Sequence, residues 1–245
     1  MSLPIRFFGN KASSDILLFV GGSGDSKDSY NNLISRLEPI FPQHKIVTFS
    51  FRGVEDNSDL PLAQQTDDLM EICDEITNKS DTSISLIATS NGAFSASHII
   101  IDNRYGAYFK NIVLLDPADH YIDTQETVRS SRTWTGLQKY EPTKPTSSSL
   151  MKKIASGIKV HIINFTIRNY GTEGYVEDGE RGTDNVRMVS RLNNDMVRSF
   201  YERTPHANRG FYIEDNSLPH AFMRDGNIDK NIVRIIDILR KCILK

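Results

Sequence analysis

One serine stands where an apolar run gives way to a helix-like stretch, within Ala88-Thr89-Ser90-Asn91-Gly92. A strand that turns tightly into a helix strains the turn residue and leaves no room for bulky side chains two positions away. The turn would expose the Ser90 hydroxyl. It would also place the Asn91 amide at a helix N-terminus, facing developing negative charge. The pattern predicts a nucleophile, with a plain helix cap at Ser90 as the alternative.

A serine nucleophile needs a base, because its hydroxyl reacts poorly until an imidazole accepts the proton. The chain offers six candidates: His44, His98, His120, His161, His206 and His220. The glycine-rich stretch 21–25 does not offer a nucleotide loop instead. It lacks Gly-Lys-Ser/Thr, and its glycines are too close together for Gly-x-Gly-x-x-Gly.

Strand and helix patterns alternate along the chain, and these elements must position the serine. Strands are predicted at 5–8, 16–20, 45–51, 83–88, 111–115, 160–165 and 210–213. Helices are predicted at 26–41, 62–76, 93–101, 148–155, 184–201 and 228–243. The alternation favours an α/β fold with a mostly parallel sheet between two helical layers, a three-layer α/β/α sandwich. Ligands in such folds bind at the carboxyl ends of the strands, where Ser90 is expected.

The stretch 118–146 differs from the rest, because it is polar and shows little periodicity. It is typical of an excursion from the core. The chain contains no internal repeat and no dividing linker. We therefore expect a single domain over 1–245, with a short cap inserted at about 118–146.

Composition limits the partners of this 245-residue chain. Its formal net charge is −2 and its basic residues are scattered, which argues against a nucleic-acid partner. No apolar stretch approaches the roughly 18 residues of a membrane helix, and the N-terminus lacks a signal-peptide core, so no membrane insertion and a cytoplasmic location are expected. Cys73 and Cys242 form no Cys-x-x-Cys pair, which predicts two buried hydrophobic side chains and no thiolate metal site.

From about residue 4 to 243, the order of the elements and the placement of the serine motif resemble the α/β-hydrolase superfamily. The resemblance implies a triad of serine, histidine and an acid, an oxyanion hole, no cofactor, and a cap where 118–146 lies. It also implies that the helices bearing Cys73 and Cys242 pack on opposite faces of the sheet, too far apart for a disulfide.

The resemblance also suggests residues for each role. The family takes its histidine from the loop after the last strand, which implies His220, with His120 of the cap as the alternative. For the oxyanion hole it implies the amides of Asn91 and of Ser23. The Ser23 amide lies in Gly21-Gly22-Ser23-Gly24-Asp25, where a glycine replaces the histidine that family members often carry.

The acid is less clearly marked. Gly182-Thr183-Asp184-Asn185-Val186 resembles the family's Gly-x-Asp-x-x-Val turn, shortened by one residue, which favours Asp184. Asp184 could instead cap a helix. Glu173, Asp178 and Asp116 remain alternative acids.

The expected activity is that of a serine hydrolase, which cleaves an ester or thioester of a small-molecule acyl substrate through an acyl-enzyme on Ser90. Two alternatives remain open: a non-catalytic binding protein on the same scaffold, and an acyltransferase or carrier-protein thioesterase. The sequence does not reveal the oligomeric state.

Overall fold

The structure is a computed structural model. It describes residues 3–22, 25–54, 62–77, 81–90, 92–100, 102, 104–117, 154–155, 157–165, 198, 201–218, 222–223 and 227–244. The predicted helices at 148–155 and 184–201 fall largely outside these ranges, as does the predicted cap at 118–146.

The described strands form one seven-stranded sheet with the order β1-β3-β2-β4-β5-β6-β7. Only the pairing of β1 with β3 is antiparallel, and the other five pairings are parallel. The mostly parallel sheet predicted from the sequence is therefore confirmed. The strands are β1 (Ile5–Gly9), β2 (Asp15–Val20), β3 (Lys45–Phe49), β4 (Ser83–Thr89), β5 (Phe109–Leu115), β6 (Lys159–Phe165) and β7 (Arg209–Asp215).

Helices cover both faces of the sheet. Among the described residues, the main helices are α1 (Asn31–Leu37), α2 (Leu62–Ile76), α3 (Gly92–Ile100) and α4 (Ile228–Ile243), with short 3₁₀ helices at Gly106–Tyr108 and His206–Asn208. Residues 201–203 are also helical. One apolar core lies between the sheet and α2 with α3, and a second lies between the sheet and α1 with α4. Alternate residues of the central strands enter the two cores, so both faces of the sheet are buried.

The two cysteines lie where the resemblance implied. Cys73 belongs to the core under α2, Cys242 belongs to the core under α4, and both thiols are free and buried. The sheet separates them, which confirms that they do not form a disulfide.

The helix predicted at 26–41 is much shorter in the structure, where α1 spans only Asn31–Leu37. The Ser26 hydroxyl accepts the Asp28 N–H, and side-chain bonds of this kind compete with a helix. The backbone of Lys27 is also tied to the end of β3: its N–H donates to Ser50 Oγ and its carbonyl accepts from Thr48 Oγ1. A backbone held in this way cannot join the helix.

The other predicted boundaries are close to the observed ones. The predicted ranges of α2 and α4 match the structure, and Asn227 caps α4 by accepting the Lys230 N–H at 3.1 Å. The strand predicted at 45–51 ends two residues earlier, because the chain turns after Phe51 and the Arg52 N–H bonds to buried Asp68 of α2. Among the described helices, none is both long enough and apolar enough to span a membrane.

Candidate active site

Ser90 lies in a strained turn at the carboxyl end of β4. Its φ is +47°, in the left-handed region that residues with a Cβ rarely adopt. The turn is held from both sides: the Ser90 N–H donates to the Leu115 carbonyl at 3.2 Å, and the Ser90 carbonyl accepts the Ala93 N–H at 3.1 Å. A residue with a side chain keeps a left-handed conformation only where its surroundings hold it there, and such residues are concentrated at functional sites.

The small residues of the serine motif have a steric reason. A Cβ on Gly92 would lie 2.5 Å from the Gly21 carbonyl oxygen and 2.7 Å from that of Val20. The first turn of α3 therefore packs directly on the backbone at the end of β2. Ala88 is fully buried in the core beneath. This agrees with the sequence argument that the turn leaves no room for larger side chains.

Gly22, in the glycine-rich stretch after β2, lies against the serine. A Cβ on Gly22 would lie 2.9 Å from Ser90 Cβ and 3.6 Å from Ser90 Oγ. Two of the sequence-predicted site residues, Ser23 and Asn91, lie outside the described residues, so their oxyanion roles remain predictions. Their neighbours in the chain are described: Gly22 contacts Ser90, and Gly92 contacts the backbone at the end of β2.

Asp116, one of the alternative acids, ends the strand next to that of the serine. Thr89 and Leu115 are partners in the β4–β5 register, so Ser90 and Asp116 each come one residue beyond. Asp116 is 1% exposed, and one of its carboxylate oxygens accepts the Phe165 N–H at 3.0 Å. It therefore joins the carboxyl end of β5 to that of β6.

Four of the six histidines are described, and none of them lies at the carboxyl edge of the sheet. His44 and His206 precede β3 and β7, at the opposite edge. His98 is near the end of α3. His161 lies in β6 level with Ile87 through Val113, three residues or about 10 Å before Ser90 along the strand direction.

His161 has a structural role instead. Its Nδ1 accepts the Phe211 N–H at 3.0 Å, where the register between β6 and β7 shifts. Burial, assisted by the charge of Lys159, lowers the pKa of His161 to about 4. A neutral imidazole is the form that can accept this backbone bond.

His220 itself lies outside the described residues, but the chain is anchored on both sides of it. Leu218 and Phe222 are 1% and 3% exposed and belong to the core under α4. The Phe222 ring packs edge-on against Phe165, the last residue of β6, and its carbonyl accepts the side-chain N–H of Asn231. The described residues on either side of the loop predicted to supply the histidine thus lie at the carboxyl ends of β6 and β7.

Asp215 fixes the start of this loop, a role that the sequence analysis did not identify. Its carboxylate accepts the N–H and the hydroxyl of Ser217 at 2.9 and 2.6 Å, and Arg234 Nε at 2.5 Å. Burial alone would raise the pKa of Asp215, but the bonds from Ser217 and Arg234 outweigh burial and lower it. An aspartate two residues before a serine in a turn is a recognisable signal for such a bond.

The other predicted candidates, Asp184, Glu173, Asp178 and His120, lie outside the described residues. A second group that the sequence analysis missed lies beside the serine: Asp25, Tyr30 and Thr89 share hydrogen bonds. Tyr30 lies within the helix predicted at 26–41, and the sequence analysis gave it no role in the site. Within the described ranges, no group of three or more histidine, cysteine and acidic residues is arranged to hold a metal ion.

No protein-family model and no curated protein matches the chain, but solved structures match over nearly its whole length. Est1E from Butyrivibrio proteoclasticus, solved with ferulic acid bound, has a TM-score of 0.62 at 12% identity, covering 99% of this chain and 96% of that one. A thermophilic esterase from Thermogutta terrifontis has a TM-score of 0.61 at 13% identity, covering 98% and 93%. Dienelactone hydrolase from Anabaena variabilis has a TM-score of 0.61 at 11% identity, covering 99% and 91%.

Proposed function

Because the chain has the α/β-hydrolase fold, we propose that it is a serine hydrolase, which cleaves a carboxylic ester or thioester through an acyl-enzyme intermediate on Ser90. The observation that carries this proposal is the left-handed Ser90 at the end of β4, in contact with the glycine loop. A serine that only capped α3 would need neither this strain nor this contact.

The proposed reaction begins when Ser90 Oγ attacks the carbonyl carbon and His220 accepts the hydroxyl proton. The amides of Asn91 and Ser23 bind the oxyanion of the tetrahedral intermediate. The C–O or C–S bond then breaks, and His220 returns the proton to the leaving alcohol or thiol. Water, deprotonated by His220, releases the acid from Ser90 in the second half of the reaction. Asp184 orients His220 and stabilises the imidazolium.

Two observations support the choice of His220. The four described histidines lie away from the carboxyl edge. The anchors Leu218 and Phe222 hold the chain on either side of position 220 at that edge. Of the two remaining candidates, His220 and His120, His220 has described residues on both sides, Leu218 and Phe222, that lie at this edge of the sheet.

The similar proteins favour ester chemistry. One of them is an esterase and another is a dienelactone hydrolase. A lactone is a cyclic ester, so both names describe attack on an acyl carbon bonded to oxygen. We propose a small-molecule acyl substrate of this kind for the present chain, with a thioester as the variant that the same machinery would also accept.

The test is covalent labelling with a fluorophosphonate probe, followed by peptide mass spectrometry to locate the label. We expect wild type to be labelled at Ser90 and to hydrolyse p-nitrophenyl acetate, and Ser90→Ala to do neither. Ser13→Ala is the matched control, because Ser13 is a similarly half-buried serine at the opposite edge of the sheet, and it should react like wild type.

A folded wild-type protein that takes no label and cleaves no ester would contradict the proposal and favour a binding protein on this scaffold. Loss of labelling in His220→Ala but not in His120→Ala would support the assigned base. The opposite result would transfer that role to His120. Comparing p-nitrophenyl acetate with an acetyl thioester of similar size then separates esterase from thioesterase activity.

A further inference from the structure

The carboxylate of Asp25 closes the glycine loop that contacts Ser90. Its Oδ2 accepts the Gly22 N–H at 2.8 Å, and its own N–H donates to the Gly22 carbonyl at 3.2 Å. These two bonds form a short ring across the loop. A Cβ on Gly22 would lie 3.4 Å from Asp25 Oδ2 and 3.6 Å from Ser90 Oγ, so the two oxygens are within about 7 Å of each other.

Tyr30 connects this carboxylate to the strand of the serine. Its hydroxyl donates to Asp25 Oδ2 at 2.6 Å and lies 2.9 Å from Thr89 Oγ1, in the residue directly before Ser90. A tyrosine hydroxyl has only one proton, and here the carboxylate receives it. Thr89 must therefore donate to Tyr30. The chain of bonds runs from Thr89 through Tyr30 and Asp25 to the Gly22 amide.

We call this chain of hydrogen bonds the Tyr30 bridge. Burial and ring packing restrict its movement. Tyr30 is 4% exposed and Thr89 is 6% exposed, so water does not compete freely for their bonds. The Tyr30 ring also packs against the ring of Phe19 in β2, with 5.8 Å between the ring centroids. The bridge links the loop to the serine turn through side chains, in addition to the direct backbone contact.

We propose that Asp25 is a positioning residue, which acts through Gly22 and Tyr30 to hold the glycine loop at the distance from Ser90 that oxyanion binding requires. The inference rests on the proposed function. An oxyanion donor works only at about 2.7–3.1 Å from the developing charge, and losing one donor lowers kcat by about 10²–10³-fold. A loop released from Asp25 loses part of this alignment during the reaction, while the ground-state substrate is bound nearly as before.

The test compares variants at Asp25 with p-nitrophenyl acetate as substrate. The bonds from Gly22 and Tyr30 both go to one oxygen of Asp25, Oδ2. Asp25→Asn keeps a carbonyl oxygen that can accept both, and it should retain kcat within about fivefold of wild type. Asp25→Ala keeps neither bond, and its kcat should fall by about 10–100-fold with KM within about threefold, as for an ångström-scale misplacement.

Two further variants complete the design. Tyr30→Phe preserves the ring and removes the hydroxyl that links Asp25 to Thr89, so its kcat should fall about tenfold. This variant replaces Asp25→Ala if Asp25→Ala does not fold. Asp28→Ala is the matched control, because Asp28 is an exposed carboxylate of the same segment, paired with Arg6 at 2.6 Å. Its kcat should remain that of wild type.

The possible outcomes distinguish failure of the positioning role of Asp25 from failure of the proposed hydrolase activity. An active wild type with unchanged kcat in folded Asp25→Ala and Tyr30→Phe overturns the positioning role alone. Asp25→Asn as impaired as Asp25→Ala also overturns it, because charge rather than position would then matter. A wild type that cleaves no ester overturns the proposed function, and this inference falls with it.

Discussion

Two neighbouring turns at the carboxyl edge of the sheet share an unusual backbone but not their surroundings. Ser90 and Asp116 each follow their strands by one residue and have φ values of +47° and +44°. Asp116 is 1% exposed, and its carboxylate is bonded to the backbone at the end of β6. Ser90 is only partly buried, and a Cβ on Gly22 would lie 3.6 Å from its hydroxyl oxygen.

The difference shows that strain alone does not identify a nucleophile. A left-handed residue with a side chain costs about 1–2 kcal/mol wherever it occurs. At Asp116 this conformation lets a carboxylate join two strands. At Ser90 it directs a hydroxyl toward the edge where ligands of this fold bind. The environment of each side chain, rather than its φ, separates the structural turn from the proposed catalytic one.

The largest effect should come from Ser90→Ala. Loss of the nucleophile should lower kcat/KM for p-nitrophenyl acetate by at least about 10³-fold, while the free energy of unfolding changes by less than about 1 kcal/mol. Steady-state kinetics and urea unfolding measure the two quantities. If Ser90→Ala retains activity near that of wild type, Ser90 is not the nucleophile, and its turn does not differ in function from that of Asp116.

Gly92→Ala should damage both activity and stability, because its Cβ would lie 2.5 Å from the Gly21 carbonyl oxygen. We expect about 1–3 kcal/mol of destabilisation from overpacking and about a 10²-fold loss of kcat from displacement of the turn. Gly106→Ala is the control, since the nearest atom to its Cβ would be 3.3 Å away. An equally impaired control would show that the crowding at Gly92 is not special.

Asp116→Ala should mainly affect stability. The Phe165 N–H loses its buried acceptor, which should cost about 2 kcal/mol of unfolding free energy. Activity should fall less than about tenfold, and Asp116→Asn should recover most of the stability. If Asp116→Ala remains folded and loses activity as severely as Ser90→Ala, then Asp116, rather than Asp184, is the acid of the triad.

A pH titration of stability tests a third irregular site, the β6–β7 register shift at His161. Its pKa is about 4 in the folded protein and about 6.5 when unfolded. Between these values only the unfolded chain binds the proton. Stability present above pH 6.5 should therefore be lost as the pH falls toward 4, at a limiting slope of about 1.4 kcal/mol per pH unit.

The control for this titration is His161→Gln, whose amide oxygen does not titrate. Its urea midpoint should depend less on pH between 6.5 and 4.5 than that of wild type. Equal slopes in wild type and His161→Gln would show that another group governs acid stability.

The smallest effect concerns the strain itself. At position 90, glycine should give a more stable protein than alanine by about 1 kcal/mol, because only glycine adopts a positive φ freely. At an ordinary helix or strand position the order is reversed. Thermal unfolding of the two variants measures the difference. If Ser90→Ala is the more stable, the left-handed conformation at Ser90 is not strained.

The sequence predicted the elements with strong internal periodicity and missed those set by distant contacts. The spacing of Ile232, Ile235 and Leu239 was sufficient to define α4, because one helical face alone decides its burial. The start of α1 was wrong because Ser50 and Thr48, some twenty residues away, hold the backbone of Lys27. No local pattern reports such a bond.

The same distinction applies to the site. Ser90 could be found from five adjacent residues, because steric crowding in the turn is a local constraint. The role of Tyr30 could not, because it depends on partners at positions 25 and 89 that only the folded chain brings together. The roles of Ser23, Asn91, Asp184 and His220 remain predictions, since these residues lie outside the described ranges.

The positions of the two thiols give this protein a built-in probe of its own breathing motions. Cys73 reports on the layer under α2, and Cys242 on the layer under α4. Burial raises the pKa of both thiols, that of Cys242 to about 12, and a thiol reacts with alkylating reagents as its thiolate. The rate at which each cysteine is alkylated under native conditions would therefore time the transient opening of one helical layer independently of the other.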